Sequence, residues 1–134
     1  MKLVYPAIFT PYENSKDGYV AEFPDLSGCV TQGDNLAEAL FMAEDAASGW
    51  ILTELEDGGS IPKATPLKNV KTTEPGQFVN LIALDINAYA AKYSSHMVKT
   101  TVTIPTWLDT FAKEKGINCS KVFQDALLQI VLAQ

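Results

Sequence analysis

Arginine is absent from this 134-residue sequence, histidine occurs once and cysteine twice. The ten lysines therefore carry all the fixed side-chain positive charge, and any phosphate or carboxylate must be met without the bidentate guanidinium fork. His96 sits in a polar connector, "SSHMVK", with no carboxylate or thiol beside it in sequence, which suits a solvated linker residue and not a general base. Cys29 and Cys119 are far apart, and there is no CxxC pair or histidine cluster. That pattern predicts two buried thiols in a reducing compartment and speaks against a zinc site or a disulfide. No stretch approaches the ~20 continuous apolar residues needed to cross a bilayer. The start, "MKLVYPAIFTPYENSK", has its apolar run broken by Pro6 and Pro11, unlike the core of a signal peptide. The expectation is a cytoplasmic protein with no membrane partner.

What is present is acid, unevenly spread. The net charge is −6, but residues 1–90 hold five lysines against thirteen carboxylates, whereas residues 91–134 hold five lysines against three. An acidic body of −8 suits a basic partner, and a tail piece of +2 suits an anion.

The residue pattern divides the same way. "KLVYPAIFTPY" reads as a strand, Asp17-Gly18 as a type I′ hairpin turn and "YVAEF" as a second strand with Tyr19, Ala21 and Phe23 on one face. "PDLSG" is a turn and "CVTQG" a third strand. From Asn35, an N-cap with Glu38 three residues on, the period becomes helical: Leu36, Leu40, Ala43, Ala47, Trp50 or Ile51, and Leu55 mark a helix over 36–57 that Gly58-Gly59 ends. After a proline-rich loop, the apolar run "QFVNLIALDI" suits a central strand covered on both sides. Residues 1–88 thus form a β-β-β-α-β domain, and 89–97 a linker with room for one helical turn.

In residues 98–134, Val98, Thr100, Val102 and Ile104 alternate with Lys99, Thr101 and Thr103, predicting a strand that Pro105 ends. A short helix with Trp107 or Leu108, Phe111 and Ala112 inward stops at Gly116. A second begins at the N-cap Asn118 and carries Val122, Phe123, Ala126, Leu127, Ile130 and Val131 as an apolar stripe. One strand and two helices cannot bury that stripe alone, so the module predicts a homodimer through paired strands, alone or within a tetramer.

That strand–helix–helix order, with "TVTIP" entering and "GINCSKVFQDAL" linking the helices, resembles a ribbon-helix-helix DNA-binding domain. The linking pattern matches at Gly116, Ser120, Ala126 and Leu127, with Asn118 in place of a serine. The resemblance implies that Lys99, Thr101 and Thr103 face bases in operator DNA, and that Asn118, Cys119 and Ser120 present a helix N-terminus to a phosphate. The front half narrows the likeness. "GYVAEFPDLSGCVTQGDNLAEAL" resembles the signature of HicB-type antitoxins at Gly18, Tyr19, Phe23 to Leu26, Gly28, Cys29, Gly33, Asp34 and Glu38 to Leu40, and Ile61-Pro62 and Val79 to Asp85 also fall in place. This likeness spans essentially the whole chain. It implies an α+β protein: a truncated RNase H-like domain that neutralises HicA, a small basic ribonuclease toxin, and a C-terminal domain that represses the shared operon.

Glu22, Asp25, Glu38, Asp45 and Glu56 are then candidates for meeting the basic toxin. A nuclease would need carboxylates converging on a metal. The first strand, "LVYPAIF", has none, and Asp17, Asp25 and Asp34 each have a local task in a turn or beside a helix cap. The expectation is a non-enzyme without metal or cofactor. The alternatives are a metal-dependent RNase H-like nuclease, or a ribbon-helix-helix repressor without a toxin.

Overall fold

The computed structural model describes residues 1–14, 16–93 and 97–132 (for 131 and 132 the backbone alone). His96, expected in the linker, and the Val131 side chain, expected in the last helix's apolar stripe, lie outside the described residues. The elements fall into two compact units, Lys2–Ser94 and a C-terminal one beginning at Ser95.

The first unit is a four-stranded antiparallel sheet with helices. Strand β1 (Lys2–Pro11) pairs with β2 (Tyr19–Glu22), β2 with β3 (Val30–Gly33), and β4 (Phe78–Asp85) adds on the other side of β1, giving the order β3-β2-β1-β4. Alternation along β1 sends Tyr5, Ala7 and Phe9 into the core, where Ala21, Ile82 and Leu84 join them. Phe9 stacks on Phe78 with ring centroids 5.1 Å apart, and Tyr19 meets Phe78 edge-on at 5.6 Å. Pro6 lies in an inner strand, yet the β2 ladder reaches only Ile8–Pro11. On that side β1 is an edge at Pro6, where a residue without an N–H is accommodated.

Helix α1 (Leu36–Glu56) starts at Asn35, whose Oδ1 accepts the Glu38 N–H at 2.8 Å, and ends at Gly58, which takes φ +76°. Its buried residues are Ala39, Ala43, Ala47, Ser48 and Ile51. The expected stripe was wider and began at Leu36, which is 42% exposed. Small residues let the helix lie close to the sheet: a Cβ on Gly33, at the end of β3, would come within 2.3 Å of the Ala39 nitrogen. The close approach selects alanines for the buried face and leaves the longer side chains at its margins.

Two further expectations are corrected. Asp17-Gly18 is not a type I′ turn, because among the described residues positive φ occurs only at Gly28, Gly58, Gly76 and Gly116. The hairpin closes earlier, with the Tyr12 N–H donating to the Gly18 carbonyl at 2.9 Å, and Gly18 is required because a Cβ there would strike the Tyr12 ring. Strand β4 is not central but an edge, with Ile82 and Leu84 buried and Asn80, Leu81, Ala83 and Asp85 exposed. A continuous apolar run does not distinguish two-sided from one-sided burial when the exposed positions hold leucine and alanine.

The connection from α1 to β4 is fastened to the sheet at several points. Asp25 accepts from the Thr65 N–H at 2.9 Å and from its hydroxyl at 2.6 Å, and the Tyr5 hydroxyl donates to the Pro62 carbonyl. Near β4, Gln77 Nε2 donates to Thr10 Oγ1 at 2.9 Å while its Oε1 accepts the Thr73 N–H at 2.8 Å. Beyond β4, where 89–97 reads as linker, the chain continues as a two-turn helix α2 (Ile86–Tyr93). Asp85 Oδ1 accepts the Ala88 N–H at 3.2 Å at its start, and the helix packs on α1 and β1.

In the C-terminal unit, α3 (Thr106–Glu114) follows Pro105 and α4 (Cys119–Leu132) follows Gly116, whose φ is +65°. Residues 97–105 form no strand in the single chain. The side chains expected inward are exposed: Trp107, Leu108 and Phe111 of α3, and Val122, Phe123, Leu127 and Ile130 of α4. A strand needs a neighbour to hydrogen-bond, and this segment has none within one chain.

Candidate functional site

Two surfaces carry the residues singled out by sequence. The five acidic candidates do not share one place. Glu22 is exposed on β2, opposite Val30. Asp25 is half-buried and holds Thr65, so both carboxylate oxygens already accept hydrogen bonds inside the unit. Glu38 lies in the first turn of α1 and Glu56 is its last residue. At 1.5 Å per residue their backbones are about 27 Å apart along the helix axis.

Asp45 is the candidate that the fold places in a concavity. Phe41, Glu44, Asp45 and Ser48, at helical spacing on α1, face Asp85, Ala88, Tyr89, Lys92 and Tyr93 across a groove of about 400 Å³. Phe41 is 72% and Tyr93 54% exposed. The Tyr89 and Tyr93 rings lie 4.7 Å apart, and Lys92 Nζ sits 5.1 Å from the centre of the Tyr93 ring. A Cβ on Gly49 would stand 3.0 Å from the Tyr89 hydroxyl, so the helices approach closely behind the groove. Burial, then the Asp45 carboxylate and then Tyr93, push the Tyr89 hydroxyl's ionisation above its ordinary value. Sequence reasoning missed Phe41, Glu44, Asp85, Tyr89 and Tyr93. The available signal was a phenylalanine off the apolar stripe of an alanine-rich helix, followed at three and four residues by acids.

A second hollow, about 330 Å³, lies between the β2–β3 turn and α1, lined by Cys29, Val30, Trp50 and Glu54 among others. The Trp50 indole N–H donates to the Ser27 carbonyl at 3.0 Å across one side. Cys29 is buried, and burial pushes its thiol pKa up, which suits an inert core side chain. Cys119 was expected buried as well, but it is exposed at the start of α4. Among the described residues, no three His, Cys, Asp or Glu side chains are grouped so as to hold a metal ion, and no helix is long and apolar enough to cross a membrane.

In the C-terminal unit Lys99, Thr101 and Thr103 are all exposed, in the segment that forms no strand in one chain. Asn118 Oδ1 accepts the Lys121 N–H at 3.1 Å, the N-cap its position predicts, and Cys119 and Ser120 are exposed in the first turn of α4. Lys113 and Asp109 form an exposed ion pair at 3.0 Å on α3, which leaves Lys115 and Lys121 as exposed cations near the α3–α4 turn.

Comparison with known proteins places both units in one family. The model described as HicB_like antitoxin of bacterial toxin-antitoxin system matches residues 5–126. A 14.9 kDa protein of Haemophilus phage HP1, named as uncharacterised, is 32% identical over 108 residues, covering 79% of this chain and 76% of that protein. Antitoxin HicB 1 of Photorhabdus laumondii is 40% identical over 63 residues, 47% of this chain and 39% of that protein, so the match spans well under half of the named antitoxin. Among solved structures, a chain of a toxin–antitoxin complex from Streptococcus pneumoniae aligns with TM-score 0.63 and 25% identity, covering 96% of this chain and 99% of that one. The named relatives are antitoxins, and the family match runs through both units: the chain belongs to the HicB-like antitoxins of bacterial toxin–antitoxin systems.

Proposed function

We propose that this protein is a non-enzymatic, cytoplasmic antitoxin that binds and neutralises a HicA-like ribonuclease toxin through its N-terminal unit and represses its own operon through its C-terminal unit. The observation that carries the reading is the family match, which spans residues 5–126 and so takes in most of both units. The alignment with a chain of a toxin–antitoxin complex supports a toxin partner. The acidic excess of the first ninety residues suits a small basic protein, speeding encounter and orienting it. The β-β-β-α-β order of that unit supports the truncated RNase H-like reading as a scaffold for binding.

The C-terminal unit supports DNA binding on physical grounds. Two helices expose apolar side chains that a second copy would cover, and the segment 98–104 gains ladder partners only when a second such segment lies beside it. Pairing two copies as a ribbon-helix-helix would put Lys99, Thr101 and Thr103 on the outer face of the ribbon. Each α4 N-terminus, at Asn118, Cys119 and Ser120, would then stand ready for a phosphate. Without arginine, base reading rests on lysine and threonine, so affinity leans on phosphate contacts and on paired dimers, and falls with salt.

The test is co-purification of the full chain with the product of the small basic reading frame beside its gene, followed by binding to the DNA upstream of the pair. A stable complex and specific retardation of that DNA are expected. DNA binding without a toxin complex would leave a plain repressor. Unchanged DNA binding by a Lys99→Ala, Thr101→Ala, Thr103→Ala variant would remove the ribbon from the interface.

A further inference from the structure

The groove between α1 and α2 combines an exposed aromatic ring with a local excess of carboxylates, of which Asp85 also caps α2. Phe41 holds its ring 72% exposed on a helix whose core contacts are made by alanines and Ile51. Around it stand Glu44, Asp45 and Asp85 against one cation, Lys92. An exposed aromatic at the mouth of a concavity costs solvation and gives no packing, and such residues concentrate where a partner will cover them. The Tyr93 face already takes a cation, with Lys92 Nζ 5.1 Å from the ring centre.

We propose that this groove is the seat on the antitoxin for a lysine or arginine side chain of the basic toxin, with Phe41 covering the apolar stem beside it. The inference rests on the toxin-partner reading above and adds the place and chemistry of the contact. Charge selects the occupant. A cation entering the groove meets three carboxylates, one of them (Asp85) also capping α2, against the single charge of Lys92, so both the Coulomb balance and the stem's apolar burial beside the rings favour binding. A second copy of this chain would bring its own body of −8 toward an acidic face, so self-association here opposes like charges. Of the five acids selected by sequence, the proposal keeps Asp45 and adds Glu44 and Asp85. It assigns Asp25 to the fold, and leaves Glu22, Glu38 and Glu56 outside the groove.

The experiment titrates the purified chain and three variants against the purified product of the adjacent small basic reading frame, by calorimetry. Phe41→Ala and Asp45→Lys each weaken binding by about tenfold or more, as hot-spot truncation and charge reversal at an interface do. Glu22→Lys, on β2, changes it by less than about threefold, as a charge away from the contact does. Phe41 and Asp45 are both exposed, so thermal midpoints within about 3 °C of the wild type show that the loss is one of contact. If the wild-type chain binds and Phe41→Ala and Asp45→Lys bind equally well, the groove is not the seat, while the antitoxin reading stands. A wild-type chain that does not bind removes the antitoxin reading and this inference with it. If Asp45→Lys instead dissolves an assembly of the chain with itself and leaves toxin binding intact, the occupant is a second copy and the proposal is overturned.

Discussion

Replacing Asp25 with alanine separates a fold-holding role from an interface role at one position. Its carboxylate accepts two hydrogen bonds from Thr65, at 2.9 Å to the backbone N–H and 2.6 Å to the hydroxyl. These tie the β2–β3 turn to the long connection that leads to β4. Hydrogen bonds to a charged acceptor contribute ~1.5–3 kcal/mol each, and the half-buried site lets water replace part of that, so the loss is about 2–4 kcal/mol. A unit of this size shifts its Tm by ~4–8 °C per kcal/mol, which places the Asp25→Ala drop at about 8–30 °C. Differential scanning calorimetry measures it. Hydrogen exchange at the Thr65 amide should rise with it, since that amide loses its acceptor. Thr65→Val, which removes the hydroxyl and keeps the amide, gives a smaller drop, and the double variant falls short of the sum because the two residues share one bond. If Asp25→Ala melts within about 2 °C of the wild type yet loses the toxin, the clasp does not hold the connection and Asp25 belongs to the interface.

Gly33→Ala drives a Cβ to within 2.3 Å of the Ala39 backbone nitrogen; chemical denaturation should show a loss of about 1–3 kcal/mol or more, and a neutral result would mean that α1 does not lie this close to β3. Burial, and then the Asp25 carboxylate, raise the Tyr5 hydroxyl's ionisation above its ordinary value of 10.0. The folded state therefore favours the neutral phenol: this contribution is fully present below about pH 10 and is lost as pH rises through the higher folded value. Tyr5→Phe removes the bond to the Pro62 carbonyl, costing about 1 kcal/mol at neutral pH, and shallows the fall of Tm above pH 10; an unchanged alkaline profile would place the titration elsewhere. A thiol reagent should modify exposed Cys119 in the native chain and buried Cys29 only on unfolding, giving two well-separated rates; equal rates would contradict the burial of Cys29.

Local chemistry made much of the fold legible. The Asn35 and Asn118 caps, the glycine stops at Gly58 and Gly116, and the alternation along β1 each act within a few residues, and the structure has them. Properties that depend on distant neighbours were not legible. The edge position of β4 follows from β1 having β2 on its other side, and a run of apolar residues reads alike in either place. Asp25 looked like a surface acid because Thr65 is forty residues away in sequence. The α1–α2 groove was hidden because 89–97 reads as a linker, although Tyr89 and Tyr93 recur at helical spacing, so the facing wall of Asp45 was unknown. The alternation over 98–104 is visible in the sequence, yet one chain forms no strand there, because a ladder needs a neighbouring segment to pair with.

The most direct measurement of the account is RNA cleavage by the product of the adjacent basic reading frame, titrated with this chain. The account predicts that cleavage falls linearly to background and ends at a fixed stoichiometric ratio, as it does when a tight, non-enzymatic complex removes active toxin. Cleavage that persists at several-fold excess of the chain, or RNA cut by the chain alone, would contradict it.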